Sequence, residues 1–250
     1  MSQKTFGRIS QKCAKRYRYY SLDLNRKTMA LKRFVCLANS FKEGGRCLAG
    51  IELDSENNPV FENGRPKWLR PVSSLGHGAV DTDYVSHLKI LDVVEFDMGE
   101  FISRGTYQCE NVSYLNPVFN TVGTFDIAQL RNLCDDRFQI FGNRGKAIIE
   151  DKIGLLNHSL LLINPSEFEV YEKVYSDSQY PQQRLMIKYN GYQYDLPITD
   201  PVFLRKYQAD PAIMDDIRNI YVSLSVGVLH EGWYNKLVAG IIPYIQQPEI

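Results

Sequence analysis

Lys32-Arg33-Phe34-Val35-Cys36-Leu37-Ala38-Asn39-Ser40, the turn Phe41-Lys42-Glu43-Gly44-Gly45, and Arg46-Cys47-Leu48-Ala49-Gly50-Ile51-Glu52-Leu53 form one continuous reading frame for the fold. Two short apolar runs flank a Gly-Gly pair. Runs of this length bounded by turn residues read as buried strands, and paired glycines supply the positive φ that a hairpin needs. The pattern returns near the other end, where Ser223-Leu224-Ser225-Val226-Gly227 precedes Trp233-Tyr234-Asn235-Lys236-Leu237-Val238-Ala239-Gly240-Ile241-Ile242.

Working outward, residues 54–66 are polar and rich in Asn, Pro and Gly, which predicts a loop. Lys67 to Val72 reads as a short strand closed by Pro71, and residues 75–85 as another loop around His77. Leu88 to Phe96 is β-branched and apolar enough for a buried strand. Asp126 to Cys134 places Ile127, Leu130 and Leu133 at helical spacing behind a capping Asp126, which predicts a short amphipathic helix. Residues 143–155 read as a connection.

The second half restarts with Ser159 to Ile163 and Phe168 to Tyr171. Apolar and polar residues alternate on both sides of Asn190-Gly191, a type I′ hairpin signature. Asp200-Pro201 opens a helix through Tyr207, and Asp210 opens another through Arg218. Tyr221 to Val228 and Leu237 to Ile242 close the chain as strands. Two runs of roughly five strands, each with a short helix, predict a mainly β (α+β) protein of two small consecutive barrels, 32–142 and 143–246. The βαβ alternation of a parallel doubly wound sheet is missing.

Composition sets the outer limits. At 250 residues, 44% hydrophobic and 23% charged, the chain is long and apolar enough to bury a core. No apolar run reaches the roughly 18–20 residues that span a bilayer, and the first residues lack a signal-peptide core. A cytoplasmic protein with no membrane partner is the expectation. The five cysteines form no CxxC pair and no Cys/His cluster, so free thiols in a reducing compartment are expected, with no metal and no cofactor.

Net charge is zero but unevenly placed: residues 1–33 hold ten basic side chains against Asp23 alone, leaving an acidic body. Residues 1–31 read as a basic extension outside the barrels, with three accounts: an arm that grips phosphates, a solvated tail, or codons upstream of a start at Met29.

Taken in order, several stretches resemble the prokaryotic dual OB-containing domain family. They are Val35 to Ser40 with Gly45 to Gly50, Trp68 to Ser73, Leu91 to Glu95, Gln108 to Asn111, Tyr189-Asn190-Gly191, Thr199-Asp200-Pro201, and Lys236 to Ile242. The resemblance covers about residues 32–244 and implies two consecutive OB-type barrels. It brings no reaction and no agreed ligand with it.

OB barrels bind oligonucleotides or oligosaccharides on an open strand face and its loops. Single-stranded nucleic acid needs aromatic platforms beside cations, because bases stack while phosphates pair. Lys42, Arg46, Trp68, Arg70 and Lys236 lie where strands meet loops and are the candidate contacts for a nucleic acid or nucleotide. The bland alternatives are core packing for Trp68, ordinary turn chemistry at Gly44-Gly45, and solvated cations. An acidic body repels polyanions unless its basic residues cluster. A competing reading is a hydrolase or nucleotide-modifying enzyme using Glu110 or Asp200, with Asn111 and His230 as further polar candidates. Asp200 equally fits a helix cap, and no GxSxG, HExxH, P-loop or dinucleotide fingerprint occurs. A protein-interaction domain in a larger assembly is the third class.

Overall fold

A computed structural model describes residues 30–73, 78–102, 105–176 and 179–244. Residues 1–29, which carry most of the basic extension, and His77 lie outside the described residues. β1 (Ala30–Lys42) and β2 (Gly45–Leu53) form the expected hairpin, followed by the two-residue strands β3 (Phe61–Glu62) and β4 (Arg65–Pro66). Then come β5 (Trp68–Val72), the short helix α1 (Thr82–Val85), β6 (Asp92–Phe101) and β7 (Asn111–Thr124). Five of these close into a barrel in the order β1-β2-β5-β7-β6, with β5 and β7 running parallel.

The second half contains β8 (Ala147–Ile149), β9 (Leu160–Ile163), β10 (Glu167–Lys173), β11 (Gln182–Tyr189) and β12 (Tyr192–Pro197). Helix α2 (Pro201–Ala209), β13 (Asn219–His230) and β14 (Trp233–Tyr244) complete it. One sheet runs β8-β14-β13-β9 and the other β10-β11-β12. They are bridged at Ile198 and Val238, so the second core is wrapped by two linked sheets, without the continuous ladder that closes the first barrel. The β11–β12 turn takes the predicted form, with Asn190 at φ 48° and Gly191 at φ 77°.

Alternation explains the continuous apolar runs. In β1, Phe34 and Cys36 enter the first barrel's core while Val35 and Leu37 face a separate apolar layer. In β9, Leu161 and Ile163 enter the second core while Leu160 and Leu162 join the same intermediate layer. Tyr221 of β13, with Ala239 and Ile242 of β14, also lies in that layer. A strand buried on both faces has no polar side to show, which is why these segments read as unbroken hydrophobic runs. Each fully buried Leu, Ile or Phe contributes about 1.5–3 kcal/mol, so the shared layer ties the two halves firmly.

Backbones meet where Gly240 passes Leu37. A Cβ on Gly240 would stand 2.4 Å from the Leu37 carbonyl oxygen, closer than any side chain tolerates. Gly45 is similarly constrained: its φ is 152° and an added Cβ would lie 2.2 Å from the Val80 carbonyl oxygen.

Four local expectations are corrected. Residues 54–66 are not all loop, because β3 and β4 pair within them. The strand expected from Leu88 begins at Asp92, since Leu91 turns the chain at φ 74°. Residues 75–85 are not all loop, because α1 occupies Thr82–Val85; residues 113–124, unassigned from sequence, form most of β7, much of it exposed on both faces. The segments after Asp126 and Asp210 are 3-10 turns, Ile127–Leu133 and Pro211–Met214, each capped by the predicted aspartate. Among the described residues, no helix is long and apolar enough to cross a membrane.

Candidate functional site

The Asn39 amide sits at the end of the apolar part of β1 and holds the chain after α1 in place. Its Nδ2 donates to the carbonyls of Val85 and Leu88 at 2.8 and 3.2 Å. That turn is tied a second time, by His87 Nε2 lying 3.0 Å from the Phe119 carbonyl oxygen, and it presents Lys89 beside them. Asn39 Oδ1 is buried without a hydrogen-bond partner.

Facing this turn is α2, whose start is fixed by Asp200. One carboxylate oxygen accepts from the amides of Val202 and Phe203 at 2.9 and 3.1 Å. The preceding Thr199 carbonyl accepts from the Phe41 amide at 2.8 Å, which docks the β1–β2 turn against the same helix start. Between the two walls lies a cleft of about 780 Å³, lined by Asn39, His87, Lys89, Asp200, Arg205 and Lys206 among others.

The charge balance of this cleft is lopsided. Asp200 is its one carboxylate among the described residues, and burial raises its pKa, which favours the neutral form. Lys89, Arg205 and Lys206 have no carboxylate within ion-pair distance among the described residues. Arg46 stands beside them: burial, and then the charge of Arg205, lower its pKa, while Asp200 opposes the shift. Its guanidinium lies 4.8 Å from the ring centroid of Phe41, which is 55% exposed. Arg46 Nε and Nη1 are buried with no hydrogen-bond partner. The like charges of Arg46 and Arg205 act on each other beside the cleft, an arrangement that gains when an anion arrives.

The five residues singled out from sequence do not form one surface. Lys42 and Arg46 flank the β1–β2 turn, and Arg46 reaches the cleft's electrostatic neighbourhood. Trp68 is 7% exposed and packs in the layer between the halves. Arg70 is 3% exposed, and its guanidinium donates to Asn111 Oδ1 at 2.6 Å and Ser159 Oγ at 2.7 Å. Lys236 is fully buried, donating to the carbonyls of Ile140 and Asn143 and to Asn143 Oδ1 at 2.6–2.9 Å. Burial pushes the Lys236 pKa down to about 7. Arg70 and Lys236 spend their charge on internal acceptors, so a solvent-borne phosphate finds little there to pair with.

Of the polar candidates for catalysis, Asp200 is a helix cap in the cleft wall, Asn111 is Arg70's partner, and His230 is exposed at the end of β13. Among the described residues no group of three His, Cys, Asp or Glu side chains is placed to hold a metal ion. Sequence reasoning passed over Asn39, Lys89, Arg205 and Lys206. A single amide ending the run Val35 to Ala38 was the available signal for Asn39, since an amide in an apolar strand needs partners. Nothing local marks the three cations, whose meeting depends on two segments more than a hundred residues apart.

Residues 32–241 match the family model of the dual OB-containing domain, well over half of the chain. A search of curated proteins found no match.

Proposed function

The chain belongs to the dual OB-containing domain family, and from that premise we propose that it is a binding module for a single-stranded nucleic acid or a nucleotide, held in the cleft between β1 and α2. The observation that carries this reading is the charge of Arg205 acting on Arg46, whose guanidinium lies over the exposed ring of Phe41, beside the cleft that Lys89, Arg205 and Lys206 line. A base stacks on Phe41 while phosphates pair with Arg205 and the two lysines, and Arg46 adds its charge. Such stacking is worth about 1–3 kcal/mol per base. The β1–β2 turn is also a loop through which OB barrels reach their ligands. The cluster answers the objection from the acidic body, because local potential, not net charge, decides encounter with a polyanion. A cytoplasmic setting belongs to the same proposal, in keeping with the unpaired Cys36, Cys47, Cys109 and Cys134.

Fluorescence anisotropy of labelled single-stranded DNA and RNA, titrated with the full chain at several salt concentrations, tests the reading. Binding that weakens steeply as salt rises supports it. Flat signals for both polymers at low salt end it.

A further inference from the structure

A second cavity, of about 260 Å³, is walled by the β3–β4 hairpin, the start of β5, the Cys109-Glu110 turn and the Asn157-His158 segment before β9. Three buried polar atoms of its lining residues have no hydrogen-bond partner: Trp68 Nε1, Glu110 Oε2 and His158 Nε2. Trp68 and Glu110 are 7% and 5% exposed. An unfilled buried donor or acceptor costs about 1–3 kcal/mol, so three around one small space ask for a common partner.

These side chains are held from behind. Glu110 Oε1 accepts from the Ser159 amide and hydroxyl at 2.7 and 2.8 Å, which leaves Oε2 free. His158 Nδ1 lies 2.8 Å from Asn157 Oδ1. The amide oxygen accepts, so Nδ1 carries the proton and Nε2 keeps its lone pair. Burial first, then the charges of Arg65 and Arg137, lower the His158 pKa to about 4, so the ring is neutral near pH 7. The buried, unpartnered atoms of the lining are thus one donor and two acceptors. Its cations are already paired, Arg65 with Asp135 at 2.7 Å and Lys67 with Glu52 at 2.9 Å, so the recognised end of a ligand is uncharged. Trp68, Pro66 and Phe101 supply apolar wall.

We propose that this cavity takes a single nucleobase by a lactam edge: its carbonyl accepts from Trp68 Nε1, its ring N–H donates to Glu110 Oε2, and His158 Nε2 accepts a further N–H where the base has one. The three atoms are shielded from bulk water, so the base reaches them by displacing side chains at the mouth, where Phe101 and Cys109 are exposed. The base comes from a free nucleoside or from a single strand. The site stands whether or not the Arg46 cleft binds anything.

Isothermal titration of the full chain with guanosine, inosine, uridine and adenosine tests it. Expected is binding of the three lactam nucleosides, with adenosine at least about tenfold weaker. Trp68→Phe keeps a ring and removes the N–H, and Glu110→Gln replaces the carboxylate; each weakens guanosine binding about tenfold or more while unfolding stays cooperative. If Glu110→Gln does not fold, Trp68→Phe decides alone. Binding of an oligouridylate but not uridine, lost in Trp68→Phe, places the base within a strand. Nucleoside affinity stays level between about 50 and 200 mM salt, which separates this site from any phosphate-dependent cleft. No heat with any nucleoside or with oligouridylate, equal affinity for adenosine, or affinity unchanged by Trp68→Phe overturns the proposal and leaves a bridging water as the partner.

Discussion

The Arg70 guanidinium of the first barrel donates to the Ser159 hydroxyl at the entrance to β9, at 2.7 Å, with both residues buried. Ser159 in turn donates to Glu110, and Arg70 also engages Asn111. The two halves are therefore joined by a buried polar chain as well as by the apolar layer. Arg70→Met removes the one cation and leaves Glu110 uncompensated, and is expected to destabilise the fold by about 3 kcal/mol. Urea midpoints of the variant and the wild type check this, and equal midpoints contradict it.

Gly240 offers a test of the backbone contact between the halves. Adding a methyl group 2.4 Å from the Leu37 carbonyl oxygen forces β1 and β14 apart. Gly240→Ala is expected to cost about 2 kcal/mol, the range for overpacking a rigid interior. Gly191→Ala, placed at a hairpin with open space around it, perturbs only a local turn. Thermal unfolding of both variants, with the larger loss at Gly240, is the expected outcome.

His158 predicts an acid-sensitive stability. In the folded chain its pKa is lowered to about 4, chiefly by burial, whereas the unfolded chain takes up that proton near 6.5. Between those values the unfolded state binds more protons, so stability falls as pH drops from about 6.5 to 4. The full shift corresponds to about 3 kcal/mol, reduced to about 2 by solvent screening. Wild-type and His158→Leu stabilities compared at pH 7 and pH 4.5 isolate this contribution. The wild type should lose more.

Asp200 joins helix capping to the cleft. Asp200→Ala removes the acceptor for two amides of α2 and is expected to cost about 1 kcal/mol. Asp200→Asn keeps a capping oxygen and removes the cleft's one carboxylate. It should retain stability and strengthen oligonucleotide binding at low salt, read by anisotropy.

Much of this architecture was legible in the chain because its strands are short and fully apolar. Phe34 to Ala38 and Leu160 to Ile163 read as buried strands, and the capping role of Asp126, Asp200 and Asp210 follows from residue type and position. β7 was not legible, since exposure on both faces erases its pattern. The site was harder. Arg70 and Lys236 read from sequence as cations where strands meet loops, but they lie within β5 and β14, and only their partners, contributed by Ser159 and by Ile140 and Asn143, identify them as internal ties. Arg46 was found from its turn, but its neighbour Arg205 lies on a helix whose docking against β1 no local signal encodes.

The central claim is that Arg46 and Arg205 act together on phosphate. Anisotropy of a labelled single-stranded oligonucleotide, measured across salt for the wild type and for the Arg46→Glu/Arg205→Glu double variant, tests it most directly. The account predicts wild-type binding with a steep inverse salt dependence, and at least about tenfold weaker binding with a shallower slope in the double variant. A wild type that does not bind at low salt, or a folded double variant that binds equally well, would contradict it.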